Sequence, residues 1–203
     1  HLANTIRTLG FKACVADPDV WMRPNTRPDG FKYWEYILVY VDDLLVVSHD
    51  AQSVMDRLSE HYTLKAGSVR PPQEYLGSDI KPYSIPPRNG EAGETCWAMS
   101  SDTYVERAVA DVKRTLKDVG QRLKEKVKTP LASNYRPELD ASGELDGRRA
   151  NYFQGLIGVL RWIVELGRVD IMVGVSMLSR YLAAPREGHL EQAFHIFAYL
   201  HEY

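Results

Sequence analysis

Apolar residues change their spacing along this chain, and each change predicts a different kind of element. Leu2, Ile6 and Leu9 recur at helical intervals and Gly10 follows as a stop, so the chain opens on a short amphipathic helix. Residues 20–22 and 33–40 are rich in β-branched and aromatic side chains and predict strands, separated by the turn-rich stretch 24–30. Residues 36–41 and 44–48 flank two aspartates and predict an antiparallel hairpin with Asp42 and Asp43 at its tip. Asp50 is a suitable N-cap for a helix whose apolar face is Val54, Met55, Leu58 and Tyr62. Pro71-Pro72 and Pro86-Pro87-Arg88-Asn89-Gly90 bracket a strand over 75–83, with 95–99 as its pairing arm.

The second half reads as helical. From 102 to 128, Val105, Ala108, Val109, Val112, Leu116, Val119 and Leu123 keep helical spacing, and Gly120 divides the stretch. Residues 132–149 are polar, contain Pro137 and Gly143, and predict a linker. Leu156, Ile157, Leu160, Ile163 and Val164 then mark a helix ending at Gly167. Asp170 is placed to cap the next, through Val173, Met177, Leu178 and Tyr181, and Pro185 separates a third over 189–203. The pattern as a whole predicts an α+β protein in four stretches: a sheet with helices over 1–100, helices over 101–131, the linker 132–149 and a helical end over 150–203.

Composition narrows the function classes. The 203 residues are 44% hydrophobic, enough for a core, and the formal charge is −2, so nucleic-acid binding has to rest on local patches. One such patch is the helical stretch, where Arg107, Lys113, Arg114, Lys117, Arg122, Lys124, Lys126 and Lys128 could follow a phosphate backbone or form a solvated face. Cys14 and Cys96 have neither disulfide-framework nor metal-type spacing, which points to a reducing compartment. No apolar run approaches the roughly 20 residues that cross a bilayer and no signal peptide opens the chain, so the expectation is a soluble intracellular protein with no membrane partner. His1 in place of Met suggests a start inside a longer reading frame. His189, His195 and His201 are six residues apart on one helix and fall on different faces, which disfavours zinc.

Asp42 and Asp43 carry the candidate chemistry. Adjacent carboxylates repel, and in a partly buried site one would take up a proton unless a cation held both ionised. Hard cations such as Mg²⁺ or Mn²⁺ take oxygen ligands of this kind, and paired metals promote in-line phosphoryl displacement. Taken alone, Asp-Asp is also what an ordinary polar turn between strands contains.

Tyr40-Val41-Asp42-Asp43 within an apolar hairpin resembles the Tyr-x-Asp-Asp signature of reverse transcriptases, and further blocks extend the likeness to copia-type retrotransposons. Leu9-Gly10-Phe11 and Asp17-Pro18-Asp19-Val20-Trp21 resemble the family's approach to that hairpin. Downstream come Tyr75-Leu76-Gly77-Ser78-Asp79-Ile80, Val127-Lys128-Thr129-Pro130-Leu131, Gly155 to Leu160, Arg168-Val169-Asp170-Ile171, Leu178-Ser179-Arg180-Tyr181 and Pro185 to His189, in the family's order. The family has Arg-Pro-Asp-Ile where this chain has Val169, and its first catalytic Asp, from an upstream strand, has no counterpart in residues 1–35. The ribonuclease H acidic residues are also not present.

The resemblance implies a fragment of an RNA-directed DNA polymerase of a transposable element: the second half of the palm, a thumb-like region at 101–131 and a connection toward ribonuclease H. It implies nucleotidyl transfer from deoxynucleotide triphosphates to a primer on an RNA or DNA template, with Asp42 and Asp43 as catalytic metal ligands. Tyr40 would pack near the primer end, Leu76 and Gly77 would place the primer backbone, and Lys113, Lys117 and Lys124 would meet phosphates. Lys65 is a candidate proton donor to pyrophosphate. The missing regions of the polyprotein would be partners, and the location a cytoplasmic virus-like particle. A second reading is a truncated or decayed element that retains nucleic-acid binding or self-association without catalysis. A third is another Mg²⁺-dependent phosphotransferase with a coincidental Asp-Asp pair.

Overall fold

The computed structural model describes residues 1–88 and 92–203, so the Asn89-Gly90 part of the expected turn lies outside the described residues. The first 75 residues build an antiparallel sheet in the order β1 (Lys12–Ala13), β2 (Val20–Thr26), β3 (Lys32–Tyr40), β4 (Asp43–Val47), so every strand pairs with its neighbour in sequence. Helices α1 (Leu2–Thr8) and α2 (Ala51–Ser59) supply the apolar groups that cover one face. Ile6, Leu9 and Phe11 meet Trp21 and Ile37, which face each other across β2 and β3, and Val54 and Leu58 complete the core. Each fully buried side chain of this size contributes roughly 1.5–3 kcal/mol. The Asp50 carboxylate caps α2 by accepting from Ser53 N at 3.1 Å, as its position predicts.

Three details of this unit differ from the sequence pattern. Helix α2 ends at Ser59, so Tyr62 lies beyond it and bonds through its hydroxyl to Thr5 Oγ1 at 2.9 Å instead of extending the helix's apolar face. Strand β2 continues through Pro24, Asn25 and Thr26, and the turn narrows to residues 27–31, closed by Arg27 N donating to Phe31 O at 2.8 Å. A proline is tolerated there because β1 pairs only as far as Met22, leaving one side of β2 open at Pro24. Asp43 is not at the tip of its hairpin: it is the first residue of β4, opposite Tyr40, and the tip is Val41 and Asp42.

Beyond the two-residue strand β5 (Glu74–Tyr75), residues 76–203 form a second compact unit. The strand expected over 75–83 is interrupted because Leu76 and Gly77 both adopt left-handed conformations, with φ of 52° and 84°. The hairpin of β6 (Ser78–Ile85) and β7 (Glu94–Ser100) then runs straight into α3 (Asp102–Asp118). Thr103 N donates to Asp79 Oδ2 at 3.1 Å, which joins hairpin to helix and places them in one unit, although a sequence boundary near 100 would separate them. Helix α3 buries Val105, Val109, Val112 and Leu116 against α4 (Gly147–Glu165) and α6 (Glu187–Glu202), with α5 (Met172–Ser179) completing the core through Val175 and Leu178. The class is α+β, as the pattern predicts.

The helical half corrects three expectations. No second helix follows Gly120: residues 121–128 are irregular, and Leu123 and Val127 reach the core as isolated anchors while Lys126 N donates to Glu202 Oε1 at 3.2 Å. Residues 132–149 are pinned rather than free, through a 3₁₀ turn at Pro137–Leu139 and a knot of bonds to the start of α6. Tyr135 donates to Asp140 Oδ2 at 2.8 Å, Ser142 N and Oγ donate to Asp140 Oδ1 at 2.9 and 2.5 Å, and Gly188 N donates to Ser142 Oγ at 2.9 Å. Asp170 does not cap a helix; its carboxylate takes a two-pronged contact from Arg168 at 3.0 and 2.8 Å, and α5 starts at Met172 without a side-chain cap. That planar fork outcompetes a lone backbone N–H.

Candidate active site

The hairpin of β3 and β4 positions the two aspartates. Its register runs from Tyr36 opposite Val47 to Tyr40 opposite Asp43, so only Val41 and Asp42 make the reversal. Two-residue reversals need φ above zero at their first central position and favour glycine there. Here that residue is Val41, with φ 54° and 84% of its surface exposed. A β-branched side chain in the left-handed region costs of order 1–3 kcal/mol and persists only where its surroundings dictate it. The dictating elements are the paired strands, whose apolar residues Ile37, Val39, Leu44 and Val46 belong to the core below.

Asp42 and Asp43 are both exposed. Residues directly opposite share a sheet face, so the Asp43 carboxylate and the half-exposed Tyr40 ring stand side by side. Adjacent carboxylates are hard oxygen donors suited to Mg²⁺ or Mn²⁺. Among the described residues no group of three or more His, Cys, Asp or Glu side chains converges on a metal position. Two further acids lie at the same end of the sheet: Asp19 O accepts from Val39 N at 2.9 Å. Burial first, then the charges of Asp43, Asp17 and Asp19, push the Tyr75 phenol above its ordinary value. In the sequence Asp17 and Asp19 stand out only as part of a motif; the pairing of Val20 with Leu38 is the signal that locates them.

Beneath the hairpin lies a polar anchor that the sequence reading missed. Glu35, on β3, is 1% exposed and forms an ion pair with Arg23 of β2. It also accepts from Ser48 Oγ at 2.6 Å and Tyr33 OH at 3.2 Å. Burial pushes the Glu35 carboxyl up, but hydrogen bonds from Ser48, Asn25 and Arg23 outweigh it and hold the group below the ordinary carboxylate range. Arg23 in turn donates to Leu9 O and lies over the Phe11 ring, 4.4 Å from its centroid. One buried carboxylate thus ties the chain entering β1 to three strands.

Among the other predicted residues, Lys65 is exposed and opens a tight turn in which Ser68 N donates to its carbonyl at 3.0 Å. Among the described residues no ion pair links it to Asp42 or Asp43. In the second unit, Gly77 lies against Tyr104 and Trp162, whose ring atoms would be 3.4 and 3.5 Å from a Cβ at that position. Leu76 is half-buried beside it. Lys113, Lys117 and Lys124 are exposed, and the Lys113 ammonium donates to His201 Nε2 at 2.7 Å. The three α6 histidines serve separate ends. His189 is buried and stacks on Tyr181 at 4.2 Å, His195 Nε2 donates to Thr129 O at 3.0 Å, and His201 meets Lys113.

Among the described residues no helix is long and apolar enough to cross a membrane. No protein-family model matches the chain, and no solved structure does. Curated proteins do. The chain is similar to the putative transposon Ty5-1 protein of Saccharomyces cerevisiae, with 29% identity over 205 residues covering 99% of this chain and 58% of that protein. It is 26% identical over 203 residues to the retrovirus-related Pol polyprotein from transposon RE1 of Arabidopsis thaliana, covering 98% of this chain and 12% of the polyprotein. The corresponding polyprotein from transposon TNT 1-94 of Nicotiana tabacum is 26% identical over 171 residues, 81% of this chain and 12% of its own length. The chain therefore spans about half of one relative and about an eighth of the others. These homologues support its assignment to a Pol region derived from a retrotransposon.

Proposed function

We propose that this chain carries the catalytic hairpin of a copia-type reverse transcriptase, an RNA-directed DNA polymerase that extends a primer with deoxynucleotides. The observation that carries the proposal is the reversal itself: Val41 and Asp42 form its tip and Tyr40 pairs with Asp43 at its base, with both carboxylates exposed and the valine held left-handed between them and the tyrosine. Strain of this sort in a β-branched residue is characteristic of positions where geometry serves function. An ordinary polar turn would relieve it with Gly, Asn or Asp at Val41. The similarity to the putative transposon Ty5-1 protein and to the Pol polyprotein from transposon RE1, which covers 99% and 98% of this chain, supports the same reading.

Asp42 and Asp43 would hold Mg²⁺ or Mn²⁺, which when bound supplies Lewis acidity and charge neutralisation for in-line phosphoryl displacement. The chain's own contribution is positional. Core-anchored strands fix the direction in which both carboxylates leave the hairpin, and the Glu35 anchor fixes the register of those strands. The Tyr40 ring, beside Asp43, offers a flat surface on which a primer-terminal sugar or base can rest. Lys117 and Lys124 offer exposed ammonium groups to phosphates, and Lys65 remains the candidate proton donor.

Manganese provides the test on the chain itself. Titrated Mn²⁺ should broaden the amide resonances of residues 41–44 before any others, and Asp42→Asn with Asp43→Asn should abolish that selective broadening. Broadening first at another acidic stretch would overturn the assignment of the metal position.

A further inference from the structure

Strand β7 (Glu94–Ser100) is an outer strand: it pairs with β6 and with no other described strand. Sheet edges of this kind are usually blunted by charge, proline, bulges, shortness or a covering segment. From Thr95 to Ser100 this strand has no charged residue and no proline. Its register with β6 continues from Asp79 opposite Ser100 to Ile85 opposite Glu94 without a bulge. Trp97 and Met99 are 59% and 61% exposed.

The direction of the unpaired backbone groups follows from one residue. Pro82 stands opposite Trp97. Antiparallel pairs alternate between those that exchange both hydrogen bonds and those that exchange none, and proline has no N–H to exchange. Pro82 and Trp97 are therefore a non-bonded pair, and the N–H and C=O of Trp97 point away from β6. The two-residue period of a strand gives Thr95 and Met99 the same outward direction. Among the described residues, no backbone bond outside the hairpin takes up these groups.

We propose that β7 pairs antiparallel with β7 of a second copy of this chain, about a two-fold axis through Trp97. In that register Trp97 faces its own copy, Thr95 faces Met99, Cys96 faces Ala98 and Glu94 faces Ser100. The outward residues meet outward residues, so each of those pairs exchanges both of its N–H···O=C bonds, and the contact is isologous and closed. Thr95, Trp97 and Met99 share one face, so the exposed indoles and thioethers of the two copies cover each other. No like charges meet. This self-complementarity favours a second copy over an unrelated extended segment.

Sedimentation velocity on the whole chain, from about 1 µM to about 100 µM, tests the pairing. The expected result is a concentration-dependent rise from the 23.1 kDa species toward twice that mass. Thr95→Lys with Met99→Lys sets like charges opposite each other and should keep the chain monomeric, whereas Thr95→Glu with Met99→Lys sets opposite charges in the same pairs and should restore association. Circular dichroism verifies the fold of each variant. Amide hydrogen exchange on the unsubstituted chain gives a second readout: the N–H groups of Thr95, Trp97 and Met99 should gain at least tenfold protection at the high concentration, while those of Cys96 and Ala98, bonded to β6, should not change. A monomer at every concentration overturns the proposal. So does association that the paired lysines leave intact, failure of the Glu/Lys pair to restore it, or protection without alternation.

Discussion

Substituting Gly188 by alanine probes how tightly the polar segment before α4 is locked to α6. A Cβ at Gly188 would stand 1.9 Å from Asp140 Oδ2 and 2.8 Å from its Cγ, so the carboxylate has to leave. With it go the bonds from Tyr135 OH, Ser142 N and Ser142 Oγ. Hydrogen bonds to a charged group contribute about 1.5–3 kcal/mol each when well buried, and Asp140 is only partly buried, so about 1 kcal/mol apiece and about 3 kcal/mol in total is the appropriate scale. Alanine's helix propensity returns at most about 1 kcal/mol. The net expectation for Gly188→Ala is a loss of about 2 kcal/mol, read by urea denaturation followed by circular dichroism. In an Asp140→Ala background those bonds are already gone and the carboxylate no longer obstructs, so the same substitution should then be neutral or slightly stabilising. Additive losses in the double variant, or a single variant within about 0.5 kcal/mol of the parent, would refute the reasoning.

Other consequences are open to the same methods. Because the Glu35 carboxyl is held below its ordinary value, its contribution to stability is complete above the unfolded-state value and fades as pH falls through the folded-state value. The stability gap between the parent and Glu35→Gln, measured in urea, should therefore shrink from about pH 7 to about pH 3; a gap that widens toward acid contradicts the anchor. Val41→Gly removes a strained left-handed valine but adds unfolded-state entropy, so stability should stay the same or rise by about 1 kcal/mol, whereas Val39→Gly in the same strand should lose at least that much. Lys117→Glu with Lys124→Glu should weaken binding of a primer-template duplex and lower the slope of log affinity against log salt by about two units, seen by fluorescence anisotropy; an unchanged slope makes that surface a solvated face.

The elements that the sequence made legible are those in which local pattern and tertiary packing agree. Ile37 and Val39 alternate with outward residues and Val105, Val109, Val112 and Leu116 share one helical stripe, so strand and helix were readable together with their buried faces. The errors arise where a long-range partner decides. Leu123 keeps α3's spacing, yet Gly120 at φ 71° ends the helix and core contacts capture Leu123 and Val127 from an irregular segment. The stretch around Asp140 is polar because its groups bond to α6, some 46 residues away in sequence, rather than to water. The aspartate pair could be located from its motif, but the shift of Asp43 into β4 follows from a two-residue reversal whose valine carries no turn signal. Glu35 was invisible for a related reason: a lone glutamate in a strand discloses neither Arg23 nor Ser48.

The assignment of Asp42 and Asp43 as polymerase carboxylates is tested most directly by primer extension with a chimera in which this chain replaces the matching segment of the Pol polyprotein from transposon RE1, comparing the parent chimera with its Asp42→Asn variant. The parent should show incorporation that depends on template, deoxynucleotides and Mg²⁺. In the variant, incorporation should fall by at least about 100-fold, the scale on which loss of a preorganised charge is felt, with duplex affinity in parallel anisotropy unchanged or slightly higher. Incorporation by Asp42→Asn at the parental rate, or loss of duplex binding together with activity, would contradict it.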